Sequence, residues 1–207
     1  MIKNIIFDWS GVVKDAFKSQ LYAVNKIFRA FGAKEISLEE LKENWEQPHM
    51  NFYNKYLPNL TPEGQTKIYK QAMSEYGPGK EYPGIVKLIK KMREKGIRMA
   101  VLSADLSETL LEELKNFGLE GVFDEVITNI EDKETVIHGL IKRNNFNPKE
   151  TIFIGDTNHE IEVGKKEGII TGAVTWGFCN EEKLKAMNPD FLIHNLEELE
   201  AVIIGHE

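Results

Sequence analysis

The chain carries one cysteine, Cys179, so no disulfide closes within it and its fold has to rest on a hydrophobic core. Long apolar runs are missing as well. No stretch approaches the ~18 residues that a membrane span requires, and nothing near the start joins a basic patch to an apolar run and a cleavage site. The expectation is a cytoplasmic protein with no membrane partner. Basic residues are in the minority, 26 Lys and Arg against 33 Asp and Glu, for a formal charge of −7. Nucleic acids and anionic surfaces recruit clustered Lys and Arg, so this balance excludes nucleic acid as the main partner and leaves small molecules. Oligomeric state leaves no mark in the sequence, and neither a repeat nor a low-complexity tract is present.

What is present is the composition of an ordinary globular protein, 42% hydrophobic and 29% charged. At 207 residues it is long enough for one good core and a smaller appended unit, since single cores stop growing near ~250 residues. Short, continuous apolar runs lie at Ile2 to Asp8, Met99 to Leu102, Val126 to Ile127, Thr151 to Ile154, Ile169 to Val174 and Phe191 to Ile193. Runs of that kind, without alternation, read as strands buried on both faces of a parallel sheet. Between them, apolar residues recur at helical spacing: Ile85, Leu88, Ile89 and Met92 before Gly96, then Leu106, Leu110, Leu111, Leu114 and Phe117 before Gly118, then Val136, Ile137, Leu140 and Ile141. Strands alternating with helices predict an α/β fold, a doubly wound parallel sheet with a Rossmann-like core. Residues 16 to 80 break the rhythm. They hold helical patterns only, at Leu21 to Phe31, Leu38 to Trp45, Phe52 to Tyr56 and Ile68 to Tyr76, and end in the breakers Gly77-Pro78-Gly79 and Pro83-Gly84. The expected organisation is a core of residues 1–15 and 81–207 with a small helical cap domain of residues 16–80.

In an open parallel sheet, ligands bind beyond the carboxyl ends of the strands. Three of the expected strands end there in reactive residues: Asp8-Trp9-Ser10-Gly11, Ser103-Ala104-Asp105 and Gly155-Asp156-Thr157. Lys133 stands in a fourth loop, just before a helical stripe. Carboxylates, a hydroxyl and an ammonium in one place suit a phosphate ester with a divalent cation. Magnesium takes a few hard oxygens and keeps several waters, a lysine neutralises phosphoryl charge, and Ser103 with the adjoining N–H groups, that of Ala104 among them, cradles its oxygens.

The order and spacing of these segments resemble the haloacid dehalogenase-like superfamily, in the helical-cap branch that includes phosphoglycolate phosphatase-like enzymes. The resemblance runs through Ile5-Ile6-Phe7-Asp8-Trp9-Ser10-Gly11-Val12-Val13-Lys14-Asp15, Val101-Leu102-Ser103, Lys133, and Gly155-Asp156 with Glu160. Tyr82-Pro83-Gly84, Phe117-Gly118-Leu119 and Val174-Thr175-Trp176-Gly177-Phe178 are similar too, so it spans nearly the whole chain. It implies a hydrolase in which Asp8 attacks phosphorus to give an aspartyl-phosphate. It also implies Mg2+ held by Asp8, the main-chain carbonyl of Ser10 and Asp156, with Glu160 directly or through water, while Lys133 and Ser103 grip the transferred group.

Ser10 departs from the pattern. The phosphatases of this resemblance carry an aspartate at that position, where it protonates the leaving group and then activates water, work worth roughly 10²–10⁴-fold. Serine keeps the main-chain carbonyl and loses that chemistry, so the expected enzyme is a slow phosphatase of a small phosphorylated metabolite, and Ser10→Asp is expected to raise its turnover at least tenfold. Two alternatives stand beside it. Asp8-Trp9-Ser10-Gly11 also resembles phosphonoacetaldehyde hydrolase, a C–P bond hydrolase that uses a cap lysine, for which Lys42 and Lys55 are the candidates here; the other is a binding or regulatory protein that keeps the fold without catalysis. Trp45, His49, Phe52, Tyr53 and Tyr56 read as cap core, and His159 and Cys179 as structural.

Overall fold

The computed structural model describes residues 1–46, 48–130 and 132–205. Its centre is a strand of four residues, β1 (Asn4–Phe7), every one of them buried. Alternate side chains of a strand leave opposite faces, and here both faces are covered. Ile5 and Phe7 join a core with Ile85, Ile89, Met92, Leu110 and Leu199, whereas Ile6 joins a second one with Ile137, Leu140, Ile141 and Val163. That is why the run shows no polar alternation. Each such side chain contributes on the order of 1.5–3 kcal/mol by leaving water.

A two-residue strand β2 (Lys14–Asp15) follows, and then four helices: α1 (Phe17–Ala30), α2 (Leu38–Asn44), α3 (His49–Tyr56) and α4 (Pro62–Tyr76). They pack on one another around Val24, Ile27, Phe28, Leu41, Phe52 and Tyr53, and the Asn25 side chain pins the α1–α2 loop by bonding both the N–H and the C=O of Ile36. β3 (Lys80–Glu81) brings the chain back antiparallel to β2, pairing Lys14 with Glu81 and Asp15 with Lys80. Entry to the helices and exit from them therefore run side by side.

The remainder alternates as the sequence predicts: α5 (Ile85–Glu94), β4 (Arg98–Leu102), α6 (Ser107–Asn116), β5 (Glu125–Ile127), α7 (Glu134–Arg143), β6 (Thr151–Gly155), α8 (Asn158–Lys166), β7 (Ile170–Val174), α9 (Glu181–Ala186), β8 (Phe191–Ile193) and α10 (Leu196–Ile204). Six strands form one parallel sheet in the order β5-β4-β1-β6-β7-β8, with Ile5 of β1 beside Met99 of β4 and Ile152 of β6. The fold is a doubly wound, Rossmann-like α/β core. The chain builds outward from β1 in both directions, so the loops after β1, β4, β5 and β6 gather at one edge, where such sheets bind ligands.

No helix among the described residues is long and apolar enough to cross a membrane.

Candidate active site

β1 ends at Phe7, and the chain then turns tightly. The N–H groups of Val12, Val13 and Lys14 all point at the Trp9 carbonyl, at 3.3, 2.9 and 2.9 Å. Gly11 closes the turn at φ +87°, a conformation open to glycine. A methyl group there would also lie 2.1 Å from Asp156 Oδ2. This turn leaves Asp8 just past the strand, its N–H on the Ile154 carbonyl at 2.9 Å and its Oδ1 accepting from the Trp9 N–H at 2.7 Å.

Lys133, the residue that caps α7, reaches across to this carboxylate. Its ammonium lies 2.9 Å from Asp8 Oδ1 and 2.6 Å from Glu160 Oε1, and it is almost wholly buried. Glu160 is held from its other oxygen: Thr157 N–H donates to Oε2 at 3.0 Å in the capping box that starts α8. Asp156, at 0% exposure, sits on the far side, its Oδ2 accepting from the Phe178 N–H at 2.6 Å. One oxygen from each of Asp8, Asp156 and Glu160 falls within 4.8 Å of the others. Ser103, Ala104 and Ser10 join these four around a single cavity of about 420 Å³ between the sheet edge and the helices. Ala104 is exposed there, and the buried Ser103 oxygen accepts from the Asp105 N–H at 3.1 Å. All seven residues singled out in the sequence are thus brought together.

Three carboxylates and one ammonium in a buried space are not neutral. Burial pushes the Asp8 carboxyl from its ordinary 3.8 up to about 7, although Lys133 pulls it back. Burial also raises Asp156 well above its ordinary range, and the facing charges of Asp8 and Glu160 add to the effect. Glu160 goes the other way: burial opposes ionisation, but the Lys133 ammonium and the Thr157 bonds outweigh it and hold the carboxyl low. Lys133 itself is held above its usual value against burial by Asp8 and Glu160. The ammonium is shared unequally, serving Glu160 best, and the two aspartates are left short of positive charge.

The residues fit a divalent cation on two further observations. Asp156 Oδ1 is buried without a hydrogen-bond partner among the described residues, an unsatisfied acceptor of the kind that native interiors avoid. Glycines also hold the cluster open: a methyl on Gly177 would come within 2.1 Å of Asp156 Cβ, and one on Gly155 within 2.3 Å of Glu160 Cβ. The donor set is all oxygen and suits magnesium.

Sequence reasoning missed a second cluster behind the first. Ser10 donates its hydroxyl to Asp105 Oδ2 at 2.6 Å, and the fully buried Lys14 ammonium lies 3.1 Å from the same oxygen and 3.3 Å from Glu113 Oε1. Glu113 in turn accepts from Trp9 Nε1 at 2.7 Å and from the Gly79 N–H at 2.8 Å. These partners stand 34 to 104 residues apart in the chain, beyond any local pattern. The cluster bears on one expectation. A new carboxylate at position 10 would face that of Asp105, and like charges at such range oppose each other, which works against the tenfold gain expected of Ser10→Asp.

Among the aromatic residues, Phe52 and Tyr56 pack against Phe28, whereas Trp45, His49 and Tyr53 also border the cavity. Lys42 and Lys55 do not border it: Lys42 lies 4.0 Å over the Phe17 ring and Lys55 pairs with Glu46 at 2.9 Å. An amine chemistry based on either finds no support. His159 borders the cavity beside Asp132, and Cys179 is a buried free thiol.

Comparison with known proteins adds to this geometry. Residues 5–174 match the family described as haloacid dehalogenase-like hydrolase. Over 204 residues the chain is 24% identical to a phosphoglycolate phosphatase of Synechococcus elongatus, covering 96% of this chain and 95% of that protein. It is 28% identical over 205 residues to the pyrophosphatase PpaX of Halalkalibacterium halodurans, again covering 96% and 95%. A solved haloacid dehalogenase-like family hydrolase from Streptococcus pneumoniae has the same fold, with a TM-score of 0.84 at 21% identity over 99% of both chains.

Proposed function

The chain belongs to the haloacid dehalogenase-like hydrolase family, and on that premise we propose that it is a magnesium-dependent phosphatase of a small phosphorylated metabolite, acting through an aspartyl-phosphate on Asp8. The observation that carries this reading is the Lys133 ammonium set between Asp8 and Glu160, with an oxygen of Asp156 within 4.8 Å of both acids. In this reading residues 16–80 are the cap that closes the cavity and excludes water during transfer.

Asp8, Asp156, Glu160 and the main-chain carbonyl of Ser10 would hold the magnesium ion, which supplies positive charge for the oxygens of the transferred group. Asp8 Oδ1 is engaged by Trp9 and Lys133, which leaves Oδ2 for the attack. In the first step an Asp8 oxygen bonds to phosphorus as the ester oxygen departs, and that oxygen takes its proton from water. Lys133 stays within reach of both the nucleophile and the phosphoryl oxygens, and Ser103, with the Asp105 N–H on its oxygen, has its own proton to donate to them. In the second step water bonds to phosphorus, the bond to Asp8 breaks, and dihydrogen phosphate leaves. No side chain at position 10 serves as an acid, so esters with good leaving groups are the faster substrates.

Steady-state hydrolysis of an aryl phosphate tests the reading. Turnover is expected with magnesium and is expected to fall at least ~10²-fold in a chelator. Equal rates in both would contradict it.

A further inference from the structure

Position 10 has lost a carboxylate but is not idle. Ser10 borders the cavity two residues after the nucleophile, and its hydroxyl proton is committed: Asp105 Oδ2 lies 2.6 Å away, and a carboxylate oxygen has only lone pairs to offer. What Ser10 Oγ has left for the cavity is therefore lone pairs. The commitment is enforced from behind. The Lys14 ammonium, 1% exposed, lies 3.1 Å from the same Asp105 oxygen and is backed by Glu113, while the Asp105 main chain is fixed by the Ser103 hydroxyl at 3.1 Å and the Asn129 N–H at 2.9 Å. Burying a lysine with two acids, one of which borders the cavity, is expensive unless the group is held in one arrangement.

We propose that Asp105 is a positioning residue which, by fixing the Ser10 hydroxyl as an acceptor toward the cavity, orients the water that hydrolyses the phosphorylated Asp8. The inference rests on the phosphatase reading above. The water donates one O–H to Ser10 Oγ and turns a lone pair to phosphorus. As the new O–P bond forms and the bond from phosphorus to Asp8 breaks, both hydrogens leave on dihydrogen phosphate. Ser10 and Asp105 finish the step with the protons they had at its start, so the pair contributes orientation, and the work that an acid at position 10 would do in the first step stays undone.

Rapid-quench kinetics with p-nitrophenyl phosphate and magnesium separate the two steps, because nitrophenolate leaves without a proton. Phosphoenzyme recovered by acid precipitation reports the second step alone. In Asp105→Ala the oxygen that accepts the Ser10 proton is gone and the hydroxyl is free to turn, and in Ser10→Ala the acceptor toward the cavity is gone while Lys14 and Asp105 stay paired. Both variants are expected to lengthen the phosphoenzyme lifetime at least tenfold, with the rate of its formation within threefold of wild type. Because Asp105 acts through Ser10, the double variant is expected to be no slower than Ser10→Ala. Should Asp105→Ala fail to fold, Ser10→Ala still decides the matter. Phosphoenzyme that forms normally and breaks down at the wild-type rate in the variants would overturn this inference and leave the phosphatase reading in place. A wild-type enzyme that turns over without any phosphoenzyme would overturn both.

Discussion

Asp8→Asn is expected to lose at least ~10⁴-fold in metal-dependent turnover while becoming more stable. The loss follows from chemistry: an amide of the same size fills the same place, but it is a poor nucleophile for phosphorus, and removal of a covalent nucleophile is typically felt on that scale. The gain follows from the charge balance of the site. Asp8, Asp156 and Glu160 face one ammonium, and burial raises the Asp8 carboxyl from 3.8 to about 7. An acid whose folded value is raised binds its proton more tightly folded than unfolded. Without metal, its contribution therefore lowers stability as pH climbs from about 4 to about 7, and the deficit persists above. The asparagine variant escapes this. Thermal unfolding in a chelator should show its advantage over wild type growing across that window and vanishing at lower pH. An equal advantage at every pH would mean that Asp8 is not the strained carboxylate described here.

The second large effect concerns Lys133. Lys133→Met keeps the stem and deletes the charge, leaving three buried carboxylates with no cation. Breaking a buried ion pair from one side typically costs about 3–5 kcal/mol, which for a domain of this size is roughly 6–20 °C in melting temperature. Turnover is expected to fall by ~10²–10³-fold, since the phosphoryl group loses its fixed positive partner. The loss of stability should be smaller in acid, where the orphaned carboxylates take up protons in place of the ammonium. Melting curves at pH 5 and pH 8 check this. A variant as stable as wild type at pH 8 would show that the ammonium is not what holds Asp8 and Glu160 together.

Much of this site is readable in one dimension, for a physical reason. β1 must be apolar on both faces because helices cover both, so Ile5-Ile6-Phe7 announces itself, and the polar residue that ends such a run necessarily stands at the sheet edge. Asp8 and Asp156 are visible on that ground. Glu160 carries a further signal, since Thr157-x-x-Glu160 is the spacing of a capping box and explains how its second oxygen is held. Helix starts were less legible. α1 begins at Phe17, ahead of its apolar stripe, and α4 begins at Pro62 behind a Thr61 cap, where the stripe alone points to Ile68. The β2–β3 ribbon has two residues a side, too few for any period.

What no pattern reveals is pairing between distant residues. Lys14 stands in the opening segment of the resemblance, but its pairing with Asp105 and Glu113 exists only once the fold closes. The Phe178 N–H that holds Asp156 is main chain and has no letter in the sequence. Gly177 looks like a loop glycine, and only the 2.1 Å approach to Asp156 that a side chain would make explains why none is there. The behaviour of position 10 depends on the first of these, the Lys14–Asp105 pair that receives the Ser10 hydroxyl.

The central claim is that Asp8, Lys133, Asp156 and Glu160 enclose one phosphoryl and magnesium site. A crystal structure of the protein soaked with magnesium and beryllium fluoride, a mimic of the phosphoryl group, tests it most directly. The account predicts the fluoride adduct on an Asp8 oxygen, Lys133 in contact with its fluorines, and the magnesium ion bound by Asp8 and Asp156. An adduct elsewhere, or a magnesium ion bound without Asp156, would contradict it.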